Sequence, residues 1–222
     1  MNITRFIQYL NKTKGWNLQG AYYATIDQWR DWWRGWYSPF HRIKETGLDG
    51  TLCTREMYRL KMPKRACEDW ASLLLNDKTT VTVEDASSAQ WLLGEDDQQT
   101  GGQLGRMEFW PNANALVELA FRSGTGAFVL SVEALTVQGG KAIPSPEAQL
   151  CVDYLPAECI LPLTIRHGKI IEAAFASEVT VNGNSCIYLQ THRLSQGQYR
   201  ITNEYFASRE EDSESASYEP AP

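Results

Sequence analysis

The sequence predicts an α+β protein in which amphipathic helices come first and an antiparallel β-rich region follows. Two observations carry this. In the first half of the chain, apolar residues recur at steps of three and four, as they do on one face of a helix. From residue 126 onward, β-branched and aromatic runs alternate with turn signals at Gly139-Gly140, His167-Gly168-Lys169, Asn182-Gly183-Asn184 and Ser195-Gln196-Gly197. Three regions result. Residues 1–125 are mainly helical, with one early strand at 79–83 and a mobile loop at 94–105. Residues 126–206 form an antiparallel meander, and residues 207–222 form an acidic, disordered tail.

The first helix is expected over residues 26–40, IDQWRDWWRGWYSPF. Ile26, Trp29, Trp33 and Trp36 fall on one face, Asp27, Arg30, Asp31 and Arg34 on the other. Gly35 weakens the helix end and Ser38-Pro39 stops it. A second helix starts at Pro63, where the missing N–H costs no internal bond, and carries a stripe of Ala66, Cys67, Trp70, Leu73 and Leu74. The β-branched alternation of residues 79–83 reads as a strand, and residues 86–93 as a short helix. Residues 94–105 are acidic and rich in Gln and Gly, so they read as loop. Residues 111–123 form another helix, with Gly124 placed for a left-handed cap. Strands are then expected over 127–137, 149–154, 159–166, 170–175, 178–181, 186–193 and 199–206.

Composition bounds the function. With 43% hydrophobic residues, the 222-residue chain can bury a core. Its apolar runs fall far short of the roughly 20 residues that cross a bilayer. The broken N-terminal stretch MNITRFIQYL does not resemble a secretion signal. Five cysteines without paired spacing, and three histidines, point to mostly buried free thiols in a reducing compartment, not to a disulfide framework or zinc site. A net charge of −6 argues against a dedicated DNA-gripping surface, though not against one that DNA slides past.

Few residues suggest chemistry. Ser123-Gly-Thr-Gly-Ala-Phe lacks the Lys-Ser/Thr ending of a phosphate-binding loop, and a helix cap entering a strand accounts for its glycines. His41, His167 and His192 are scattered, with no nucleophile beside them. Glu68 with Asp69, and Glu118 with Glu133, would be paired only by folding. No catalytic, cofactor-binding or metal residue is assigned. Trp29, Trp33 and Trp36 are the stripe of interest, packing either within the chain or against another subunit, with packing preferred to ligand stacking.

Taken in order, these segments resemble the portal proteins of tailed bacteriophages of the siphovirus type. The resemblance rests on WRDWWRGWY (29–37), RLKMPKRACEDWASLLLND (59–77), TTVTVED (79–85) and LVELAFRSGTGAFVLSVEAL (116–135). ILPLTIRHGKIIEAAFAS (160–177) and YLQTHRLSQGQYRITNEYF (188–206) extend it over about residues 26–206. No single piece is diagnostic; the ordered set is fairly specific. The resemblance implies a dodecameric ring at one capsid vertex that docks the terminase, contacts capsid and neck proteins and passes DNA without binding it specifically. It implies no enzyme activity and no membrane, and location in the virion after assembly in the host cytoplasm. The family's stem and clip have no counterpart here, so the part present corresponds to the wing, expected as a monomer or weak oligomer. Alternatives are another head–neck component, such as an adaptor or minor capsid protein, and a Trp-mediated carbohydrate-binding module.

Overall fold

A computed structural model describes residues 3–76, 78–95, 101–139, 141–181, 183–195, 197–209 and 217–220. The first half holds helices α1 (Ile3–Lys14), α2 (Gly20–Arg34) and α3 (Ser38–His41), strands β1 (Arg42–Thr46) and β2 (Leu52–Glu56), and helices α4 (Met62–Leu74), α5 (Ala86–Leu93), α6 (Gly102–Arg106) and α7 (Phe109–Ser123). Strands β3 (Gly126–Gln138), β4 (Lys141–Pro156), β5 (Ile160–Arg166), β6 (Lys169–Val181), β7 (Asn184–Ser195), β8 (Gln198–Arg209) and β9 (Ser217–Pro220) follow. The expected α+β class, helices before a β-rich region, is what the chain adopts. No helix among the described residues is long and apolar enough to cross a membrane.

The chain divides into two compact units. The first joins residues 1–30 to residues 157–222. Its sheet is a sequential antiparallel meander, β5-β6-β7-β8-β9. Its core lies between one face of that sheet and the two N-terminal helices. Ile3, Phe6, Ile7 and Leu10 recur at the helical step along α1 and are all buried. They pack with Tyr23 and Ile26 of α2 and with Leu161, Ala174, Ala176, Ile187, Leu189 and Phe206 of the sheet. Each large side chain so buried contributes about 1.5–3 kcal/mol. The hairpins are tight because their turns accept positive φ: His167 and Gly168 (φ 50° and 74°) join β5 to β6, and Gly197 (φ 74°) lies between β7 and β8.

The second unit spans residues 31–156. In it β1 pairs with β2, β3 pairs with β4, and α4 packs on α7. Asn114 of α7 donates from Nδ2 to the carbonyls of Ala71 (3.2 Å) and Leu75 (2.8 Å), satisfying the end of α4. Trp70 and Phe121 stack at 5.6 Å between ring centroids. Phe109 starts α7 against Phe128 of β3 (6.0 Å), which meets Tyr154 of β4 edge-on (5.6 Å). This support matters, since a lone two-stranded ribbon is marginal in water.

Several expectations need correction. Residues 79–83 form no strand; β-branched alternation is not by itself enough to make one. The β1–β2 hairpin is an addition, unforeseen because its strands are polar on both faces and largely exposed. Of the loop expected at 94–105, Gly102–Arg106 is helical, and residues 96–100 lie outside the described residues. The meander expected over 126–206 is two sheets, β3–β4 belonging to one unit and β5–β9 to the other. Residues 170–175 and 178–181 are one strand, β6. Within the tail at 207–222, β8 runs on to Arg209, and Ser217–Pro220 pairs with Phe206–Arg209. A free strand edge offers backbone groups that such a segment can satisfy. Residues 210–216 lie outside the described residues. The cysteines form no disulfide, but only Cys186 is buried.

Candidate functional site

The tryptophan stripe is the feature the sequence singles out. Ile26 is buried, Trp29 is 41% exposed, and Trp33 and Trp36 are half-buried. The helix reading holds through Trp33 only. Gly35 takes φ +72°, and the N–H of Trp36 bonds the carbonyl of Asp31 at 2.8 Å, so the helix closes before Trp36. Gly35 is also where Lys61 lies against the chain: a Cβ there would come within 2.7 Å of Lys61 Cγ. Lys61 itself adopts a left-handed conformation, φ 51°, just before α4.

Cations gather on the two tryptophans of the second unit. The Arg59 guanidinium lies 3.8 Å from the Trp36 ring centroid, and that of Arg42 lies 5.3 Å away. Lys64 Nζ lies 4.9 Å and the Arg122 guanidinium 5.4 Å from the Trp33 ring. Trp33 Nε1 donates to Glu118 Oε1 at 3.0 Å. Such contacts are worth about 0.5–1 kcal/mol each where exposed. Their larger effect is to hold long cationic side chains in fixed places. Beside them Trp32 stacks on Tyr37 (5.0 Å), and the buried ring of His41 meets Phe40 edge-on (5.1 Å).

Elsewhere the other residues that sequence reasoning considered stay apart. His167 is exposed in the β5–β6 turn. His192 is buried in β7, with Nδ1 2.6 Å from the Tyr199 hydroxyl, and burial lowers its pKa. Glu118 bonds Trp33, while Glu133 lies beside Asp153, whose pKa is raised by burial and by Glu133. Burial, then Glu133, pushes the Cys151 thiol up, away from the thiolate a nucleophile needs. Glu68 and Asp69 pair with Lys64 (3.6 Å) and Arg65 (3.1 Å) one turn away. Gly124 caps α7 at φ +83° before β3, as the cap reading of Ser123–Phe128 requires. No group of three or more His, Cys, Asp or Glu among the described residues could hold a metal ion.

Among the described residues, two small clefts illustrate the available concavity. One of about 270 Å³ is lined by Trp16, Pro162, Thr164, Glu172 and Arg193 in the first unit. Its charges are already engaged: Thr164 bonds Glu172 at 2.5 Å, and Arg193 lies 5.7 Å from the Trp16 ring. The other, about 230 Å³, lies between α6 and β4 at Arg106, Met107 and Cys151.

Sequence reasoning found Trp33 and Trp36 but not Arg42, Arg59, Lys64 and Arg122 around them. A count of charge by segment, instead of over the whole chain, carries the signal for the first three. Comparison with protein-family models, with curated proteins and with solved structures finds no match.

Proposed function

We propose that this chain is a portal-type subunit of a tailed bacteriophage, a non-enzymatic structural protein at the capsid vertex through which DNA is packaged and ejected. The ordered segments over about residues 26–206 motivate the reading. The observation that carries it is the apolar surface left uncovered in the second unit. Leu48, Tyr58, Leu60, Met62, Leu73 and Leu74 are all more than half exposed. So many uncovered large apolar side chains in one unit are costly in water, and assembly subunits cover such side chains with neighbours. In this reading the partners are further copies of the chain, the terminase, capsid proteins and neck proteins. DNA passes the ring without sequence-specific contact. The carbohydrate-binding alternative is not favoured, because cations already lie against Trp33 and Trp36.

Particle location tests the proposal. Phage particles purified from the strain that encodes the chain should contain it at about a dozen copies. Antibody-labelled electron microscopy should place it at one vertex. Absence from purified particles, or distribution over the whole shell, would remove the portal reading.

A further inference from the structure

The chain is acidic, yet its charge is unevenly placed. Residues 34–65 hold eight of the 21 Lys and Arg but only three of the 27 Asp and Glu, a net of +5 in a chain of −6. The fold gathers this stretch onto connected elements of the second unit: the end of α2, α3, the β1–β2 hairpin and the start of α4. Arg42 and Arg59 lie against Trp36, Lys64 against Trp33, and Lys61 against Gly35. An indole beneath a guanidinium fixes its position while leaving N–H groups at its edge for an anion. The two arginine side chains on Trp36 stay open, Arg42 at 54% and Arg59 at 46% exposure.

Carboxylates pair with five of the eight cations, Glu45 with Arg55 at 2.7 Å, Glu68 with Lys64 at 3.6 Å and Asp69 with Arg65 at 3.1 Å among them, but these are pairs between largely exposed groups, which are weak. Glu56 is shared by Arg42 at 3.8 Å and Arg59 at 3.5 Å, both long contacts between exposed groups. Arg34, Lys44 and Lys61 form no ion pair among the described residues. Like charges held close repel one another, and a row of phosphates relieves that repulsion while releasing the ions condensed on them. Because cations lie against the indoles, Trp33 and Trp36 are poorly placed as platforms for unpaired bases. The surface therefore suits a backbone of regularly spaced phosphates.

We propose that the Arg34–Arg65 surface docks the phosphate backbone of duplex DNA, without reading its sequence. This goes beyond the portal reading and does not depend on it. The test uses the whole 222-residue chain and a fluorescent duplex, with binding followed by anisotropy from about 50 to 200 mM salt. Wild type should bind at the low end, and log K should fall linearly with log salt, by about 0.9 per phosphate neutralised. Lys44→Glu with Arg65→Glu, both exposed, should weaken binding about tenfold or more and make the slope shallower. Arg166→Glu with Lys169→Glu, at the β5–β6 turn, changes net charge equally and should leave binding within about threefold of wild type at matched salt. An equal loss in both variants would overturn the proposal, as would no binding at low salt. So would tighter binding of a single strand of equal charge, which points to stacking, or of a polyglutamate peptide, which points to an acidic protein partner.

Discussion

Tyr23 carries its hydroxyl into the interior of the first unit, where it donates to the carbonyl of Ile160 at 2.8 Å. Burial, and then the neighbouring Tyr22, push its pKa well above the ordinary tyrosine value. The folded state therefore keeps a proton that the unfolded chain loses near pH 10, so the contribution is complete below about pH 10 and is lost as pH rises through the folded value. Tyr23→Phe removes both the bond and this sensitivity. At neutral pH it should cost about 0.5–1.5 kcal/mol. In urea midpoints taken to about pH 11, it should also decline less steeply with pH than wild type. Parallel profiles for the two proteins would rule out the buried phenol as the cause. Trp33 and Trp36 stand out in the sequence by residue type alone. The cations on them come from β1, the β2–α4 connection, α4 and α7, which no local pattern brings together.

Among the elements, α1 was the least anticipated and is among the most deeply buried. Ile3, Phe6, Ile7 and Leu10 have the i, i+3, i+4, i+7 spacing, so the signal was present. Leu10→Ala should cost about 2–5 kcal/mol, while Gln8→Ala on the exposed side should stay within about 0.5 kcal/mol. Amide exchange in β6, β7 and β8 reads this directly; equal protection in wild type and Leu10→Ala would mean the helix is dispensable to the sheet. Turns and helix ends were legible because they depend on nearby glycine and proline. Pro63, Gly124, Gly168 and Gly197 all sit where local chemistry places them. The strand expected at 79–83 failed, and β1–β2 went unseen, for one reason. Pairing is decided by the partner strand and by packing, and β propensity and hydrophobic pattern read along one segment report neither.

At the scale of the whole molecule, the partition into units was illegible, because hairpin signals look alike whether neighbouring hairpins share a sheet or not. The exposed apolar side chains of the second unit bear on association. Light scattering over a concentration series should give 25.1 kDa at low concentration and a rising average mass above it. A mass fixed at that of one chain up to high concentration would mean those side chains recruit no copy of this chain. A stable dodecamer at every concentration would mean that the association is strong, against the weak oligomer expected. The first unit has a further consequence, for synthesis on the ribosome. Its helices are translated first, but the sheet that covers them comes after 126 intervening residues of the second unit. At about 5–20 residues per second, the apolar side of α1 waits on the order of ten seconds before β5 to β8 emerge. During that interval the nascent chain presents Ile3, Phe6, Ile7 and Leu10 to whatever chaperone stands at the exit tunnel, so its folding yield in the cell should depend on that chaperone more than its final stability would suggest.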